Sequence, residues 1–194
     1  MPNQTFTITV DVDELMTEFI PKLAGQFIAW RGPDDAMKGT TLTLTVDVSG
    51  DRYSYTIKDG QEFDAKKGDL DNPLVTLAIP LDTMAKLADM QNIDMLVGMQ
   101  GQIAGGQASR QKYNALAALK GTAVYKLALP DGTEAVITAT FNGARQPAAT
   151  LKLSLADARA LTARKDTPIQ MFMNGRLQIE GEMAFALAMQ PLFT

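Results

Sequence analysis

The chain contains one stretch of itself twice. Whatever the repeated unit forms must form twice, which constrains the fold more tightly than any local propensity. Asn72-Pro73-Leu74-Val75-Thr76-Leu77-Ala78-Ile79-Pro80-Leu81 aligns with Gln146-Pro147-Ala148-Ala149-Thr150-Leu151-Lys152-Leu153-Ser154-Leu155. The register continues without a gap through Leu87 on Leu161, Met99 on Met173 and Gly101 on Gly175. Upstream, Gly39-Thr40 answers Gly121-Thr122 and Gly50 answers Gly132. A unit of roughly 80 residues is therefore used twice. The second copy is shorter because Gln61–Asp71 contracts to Ala144–Gln146.

Each copy reads as a hairpin, a further strand, then helices around a last short strand. In the first, Leu42, Leu44, Val46 and Val48 alternate with polar residues, Ser49-Gly50-Asp51 turns the chain, and Tyr53, Tyr55 and Ile57 alternate back. Gln61–Asp71 is polar and reads as a solvated loop, with Lys66 and Lys67 in it. A third strand over Leu74–Ile79 leads into a helix from Leu81 to about Gln91, a short helix over Ile93–Gly98, a strand over Met99–Ala104 and a helix over Gln107–Lys120. The second copy repeats the order. Strands span Thr122–Leu129, Glu134–Phe141 and Thr150–Leu153, and Ser154 with Asp157 three residues on caps a helix. A short helix over Pro168–Asn174, a strand over Arg176–Glu180 and a helix over Glu182–Gln190 follow.

Ahead of the first copy, Thr5–Val12 alternates as a strand, and Asp11 with Glu14 opens a helix. Leu15, Phe19, Leu23, Phe27 and Trp30 form its apolar stripe and are expected to face the core, while Pro21 predicts a kink or two abutting helices. The acidic pairs at Asp11-Val12-Asp13-Glu14 and Asp34-Asp35 lack the ligand spacing of a calcium loop and read as caps and turns. The expected organisation is α+β. Residues 1–38 form a strand–helix segment packed on a first unit, 39–120, and 121–194 form the second unit.

Composition narrows the function. The chain has no Cys and no His. That removes thiol nucleophiles, Cys/His zinc sites, Ser-His-Asp triads and imidazole acid–base chemistry, so the expectation is a binding protein with no catalytic residue, resident metal or cofactor. A net charge of −4 with scattered Lys and Arg gives no nucleic-acid footprint. No apolar run approaches the ~20 residues of a membrane span, and Met1-Pro2-Asn3-Gln4 is unlike a signal peptide. Cytoplasmic residence is the expectation.

One segment has a family look. Ala149-Thr150-Leu151-Lys152-Leu153-Ser154 and its helix are followed by Met171-Phe172-Met173-Asn174-Gly175-Arg176-Leu177-Gln178-Ile179-Glu180-Gly181 and an apolar helix ending Pro191-Leu192-Phe193. This resembles the sterol carrier protein 2 (SCP-2) family, above all in the Gly-x-Leu-x-Ile-x-Gly strand. The hairpins, the Asn142-Gly143 turn and Tyr53-Ser54-Tyr55-Thr56-Ile57-Lys58-Asp59-Gly60 agree with it. The resemblance implies two tandem SCP-2-like units, each a small, mainly antiparallel sheet packed against helices. It also implies an apolar cavity that takes a sterol, fatty acid or acyl-CoA, lying beside the Gly-x-Leu-x-Ile-x-Gly strand.

On that reading the ligand contacts are Phe172, Leu177, Ile179, Met183, Phe185 and Met189 in the second copy, with Met95, Met99 and Ile103 in the first. Met183–Met189 is apolar around its circumference, as expected of a helix buried on all sides or covering a ligand. Methionines concentrated in these segments suit a pocket that adapts to lipid shape. Of the two copies the second keeps the full Gly-to-Gly strand, so it is the expected ligand holder. A protein partner is the alternative, because SCP-2-like units also occur as accessory domains of larger enzymes and complexes.

Overall fold

A computed structural model describes residues 11–32, 34–88, 110–163 and 165–193. Helix α1 (Val12–Glu14) runs through a π-helical turn (Leu15–Phe19) into α2 (Ile20–Arg31), and a 3₁₀ turn (Asp35–Met37) follows. Then come β1 (Thr41–Val48), β2 (Asp51–Lys58), β3 (Glu62–Lys67), β4 (Val75–Ile79) and α3 (Leu81–Ala88). After the undescribed stretch come α4 (Arg110–Ala118), β5 (Gly121–Ala128), β6 (Glu134–Phe141), β7 (Ala148–Ser154) and α5 (Leu155–Thr162). The chain ends in α6 (Pro168–Met173), β8 (Gln178–Gly181), α7 (Met183–Ala188) and a 3₁₀ turn (Gln190–Leu192).

The eight strands among the described residues form one sheet in the order β3-β2-β1-β4-β6-β5-β7-β8. The expectation of a small sheet in each unit is corrected here, because β4 pairs antiparallel with β6 and fuses what would be two open edges. The pairing pattern recurs on both sides of that seam. Hairpin β1–β2 and hairpin β5–β6 are antiparallel, and β4 and β7 lie parallel to β1 and β5. β6 stands against β4 as β8 stands against β7, with Phe141 opposite Val75 and Gly181 opposite Ala149. The strand expected over 99–104 and the helix over 93–98 lie outside the described residues, as do positions 5–10 of the first expected strand. Its last position, Val12, is already helical.

The sheet is apolar on one face only. Leu44, Val46, Val48, Tyr53, Tyr55 and Ile57 point to the same side as Ile79, Ile137, Phe141, Leu127, Leu151 and Leu153, all buried. The opposite face carries Thr43, Thr56, Thr138, Thr140, Thr150, Lys126 and Lys152. Period-two alternation over mostly antiparallel strands produces this division, and the helices collect on the apolar side. The link from β3 to β4 crosses the polar face, and two buried hydroxyls sit beneath it. Thr45 and Ser54 are 3.0 Å apart, and Ser54 donates to Gly68 O at 2.6 Å. Leu74 N donates to Thr43 Oγ1 at 2.9 Å.

Two sequence expectations fail for local reasons. Gln61–Asp71 is not all loop: its first half is edge strand β3, which puts Phe63 and Ala65 on the apolar face and Glu62, Asp64 and Lys66 on the polar one. Trp30 is 84% exposed rather than core, and Phe19 is also exposed. Pro21 has no N–H for the ordinary helical bond, and the turn before it widens so that Ile20 N–H reaches Leu15 O. The extra residue rotates the helix, and Met16, Ile20, Ala24 and Ile28, four apart, become its inner face. Tyr55 Oη donates to Met16 O at 2.7 Å, and Asp13 takes bonds from Tyr53 (2.7 Å) and Lys67 (2.6 Å). Those bonds from Lys67 and Tyr53 hold the Asp13 carboxyl below its usual range.

Gly121 opens β5 with φ +139°, and a Cβ there would lie 2.5 Å from Pro147 O and 2.6 Å from the Phe185 ring. Gly132, in the β5–β6 turn at φ +83°, has nothing within 4 Å of such a Cβ. Gly121→Ala is expected to cost about 2–4 kcal/mol and Gly132→Ala about 1 kcal/mol. Urea unfolding of both variants checks the difference.

Candidate functional site

Between the apolar face and the helices lies a cavity of about 280 Å³. Its floor crosses five adjacent strands: Leu42 and Leu44 of β1, Val75 and Leu77 of β4, Ile137, Ala139 and Phe141 of β6, Tyr125 and Leu127 of β5, and Leu151 and Leu153 of β7. In the sheet register these residues step from the start of β1 toward the end of β7, so the floor runs diagonally across the seam. The roof is Lys112, Tyr113 and Leu116 of α4, Ala158, Leu161 and Thr162 of α5, and Pro168, with Met37, Leu177, Leu192 and Phe193 closing the ends and sides.

Over the seam the floor drops to one small side chain, Ala139. Ala123, Ala135, Ala139 and Ala149 are all buried, and Ala139 faces the cavity between Ile137 and Phe141. Tyr125 contributes its ring, and its hydroxyl donates to Met189 Sδ at 3.7 Å. Burial pushes that phenol well above its ordinary pKa, so it stays neutral. Lys112 is the one charged side chain among the described lining residues, and no carboxylate is present there. Such a surface offers an apolar ligand contact and dehydration, with few groups able to move a proton.

The roof is tied to the sheet at specific points. Asn142 takes φ +49°, which Asn tolerates better than most residues. From there its amide donates toward the carbonyls that end α4: Leu119 O at 2.7 Å, Leu116 O at 3.1 Å and Ala117 O at 3.3 Å. At the other end of α4, Arg110 donates to Lys38 O at 2.5 Å. Arg176 bridges Asp157 of α5 and Asp166 before α6, the latter at 2.8 Å. Partial burial raises the Asp157 carboxyl's pKa, but bonds from Ser154 and Arg176 outweigh it and leave the group below its ordinary range. Ser154 caps α5 as the sequence pattern suggests, and Thr167 caps α6.

Of the residues expected to touch a ligand, Leu177 is in the cavity wall. Ile179 is partly buried against the core, Phe185 packs edge-on against Phe141 at 6.2 Å, and Met189 is fully buried behind Tyr125. Phe172 and Met183 are 44% and 38% exposed. Helix α7 is thus not buried on all sides: Met183 and Leu187 face out while Phe185 and Ala186 face in. Met95, Met99 and Ile103 lie outside the described residues. The residues that reasoning from the sequence passed over are floor positions of the strands, Leu44, Val75, Leu77, Ala139, Leu151 and Leu153. Their signal was present as alternation, but alternation does not tell a filled core from a floor with space above it.

Residues 101–194 match the SCP-2 sterol transfer family. The matched segment supplies the part of the site from α4 onward, while β1 and β4 precede it. Among solved structures, sterol carrier protein 2 from Yarrowia lipolytica in its apo form is 21% identical with a TM-score of 0.37, covering 51% of this chain and 92% of that one. Domain 2 of the sterol carrier protein of Helicoverpa armigera is 21% identical with a TM-score of 0.38, covering 52% and 83%. The ubiquinone synthesis protein UbiJ-SCP2 is 11% identical with a TM-score of 0.29, covering 93% and 95%. No curated protein matches the chain. No helix among the described residues is long and apolar enough to cross a membrane.

Asn142→Ala should loosen α4 and cost about 2 kcal/mol. Asn142→Asp should cost more at neutral pH, because a carboxylate would face three carbonyl oxygens. That facing charge raises the new carboxyl's folded pKa, so part of the loss returns as acidification protonates it. Thermal unfolding across the pH range checks both the order and the sign.

Proposed function

We propose that the protein binds and carries a hydrophobic small molecule of the lipid class in this cavity, without transforming it. The cavity carries the reading: an apolar, roofed space of about 280 Å³ lined largely by the segment that matches the SCP-2 family, just under the about 300–1,000 Å³ typical of small-molecule sites. Binding would be driven by removal of apolar ligand surface from water, at ~25 cal/mol per Å². The lack of any Cys or His in the chain, and of any carboxylate among the described lining residues, favours a carrier over an enzyme.

The chain is further read as two tandem SCP-2-like units, 39–120 and 121–194, with 1–38 packed on the first. The repeated strand pairing and the equivalent placement of α3 and α5 after β4 and β7 support this division.

A second role, contact with a protein partner, is favoured by one observation. Ile169, Phe172 and Met173, at the i, i+3, i+4 spacing of a single helix face, are 41%, 44% and 78% exposed on α6. Replacing Phe172 and Met173 together by Ser should leave ligand affinity unchanged. A loss of ligand in that variant would move these residues into the site and remove the argument for a partner.

Filling the cavity tests the main reading. Ala139→Phe places a ring in the space over the seam and should weaken binding of a fluorescent alkyl probe at least tenfold, with the unfolding temperature held or raised. Retained affinity with a fully folded variant would show that ligand binds elsewhere.

A further inference from the structure

We infer that α4 is the moving wall of the cavity: it lifts about its C-terminal end, and ligand passes between its N-terminal end and the turn at Asp35–Lys38. The inference rests on the carrier reading above and goes beyond it in locating the entrance and the residue that latches it.

The roof elements differ in what holds them down. Helix α5 buries Leu155, Ala158 and Leu161, and α6 buries Met171. Helix α4 buries no residue. Its inward side chains, Lys112, Tyr113 and Leu116, are only half-buried and line the cavity. Its main packing partner is the C-terminal 3₁₀ turn at Gln190–Leu192. An element with few buried apolar contacts opens at the lowest free energy. Among the described roof helices that element is α4.

The two ends of α4 are held unequally. At the C-terminal end the Asn142 amide donates toward Leu116 O, Ala117 O and Leu119 O, and the Leu119 side chain is buried. Two residues on, Gly121 fits against Pro147 O and the Phe185 ring with no room for a Cβ, so the chain there cannot lift. At the N-terminal end the Arg110 guanidinium donates to the backbone carbonyl of Lys38. Arg110 and Lys38 are both exposed, so water can replace that bond at small cost. Lys38 ends the 3₁₀ turn that carries Met37, a wall residue of the cavity. Lifting the Arg110 end therefore parts the roof from that wall. The acceptor is a main-chain oxygen, so the latch depends on the Arg110 side chain and not on that of Lys38.

The test is stopped-flow uptake and release of a dansyl-labelled alkyl probe by the full chain. Arg110→Ala should raise both rates about fivefold, the equivalent of one lost hydrogen bond. Affinity should hold, because entry and exit use the same opening. Lys38→Ala keeps the carbonyl and should leave both rates alone. The chain has no Cys, so Lys38→Cys combined with Arg110→Cys gives a reducible bis-maleimide one pair of thiols to bridge. Bridging should slow exchange about tenfold or more, and reduction of the linker should restore the rate. Equal rates with the linker intact and reduced, or rates unmoved by Arg110→Ala, overturn the inference and leave the carrier reading standing. Failure of the probe to bind the unmodified protein overturns both.

Discussion

The antiparallel pairing of β4 with β6 is the contact on which the rest of the molecule depends. Without it each half would be a short sheet with an unpaired edge, a liability in water because free N–H and C=O groups invite pairing with other chains. With it, Val75 and Leu77 come to lie beside Phe141 and Ala139, and one apolar face extends over eight strands. The cavity straddles this junction, so the pairing that stabilises the sheet also assembles the floor.

That floor combines two uses of the same alternation. Toward β2 the inward residues are large, Tyr53, Tyr55 and Ile57, and the space is filled. In the middle Ala139 lines the floor between Ile137 and Phe141, and the cavity lies above it. Polar ties to that roof include the Asn142 amide, the Arg110 bond and the Arg176 bridge. These ties are made by helix ends and loops and not by the strands' own hydrogen bonds, so roof and floor are fixed by different bonds.

Much of the fold was legible because duplication doubles every weak signal. The hairpins, the third strand of each copy and the Ser154 cap fall where alternation and capping chemistry place them. What was missed has physical reasons. Strand β3 exposes one flank to solvent, so only Phe63 and Ala65 mark it within a polar stretch. Trp30 sat on a regular stripe, but the π turn enforced near Pro21 shifted the inner face to Met16, Ala24 and Ile28. The site was sought beside the Gly-x-Leu-x-Ile-x-Gly strand, and Leu177 does reach the cavity. The seam itself was invisible, because β4 and β6 carry the same alternation of Thr and apolar residues as their neighbours and nothing in either strand names its partner.

On the proposed two-unit reading, the β4–β6 contact joins the third strand of one unit to the second strand of the next, a head-to-tail contact of the kind that does not close on itself. A third repeat could in principle add its own β4-like strand to the outer side of β2, as β4 adds to β6. That side is covered by β3, whose residues come from the stretch that the second copy lacks. The difference in length between the copies therefore has a structural meaning. The longer copy brings its own stopper and ends the array, while the shorter one leaves the equivalent edge bare for the join. An insertion that looks like loop drift in the alignment closes one end of the ribbon, and β8, lying on β7 as β6 lies on β4, closes the other.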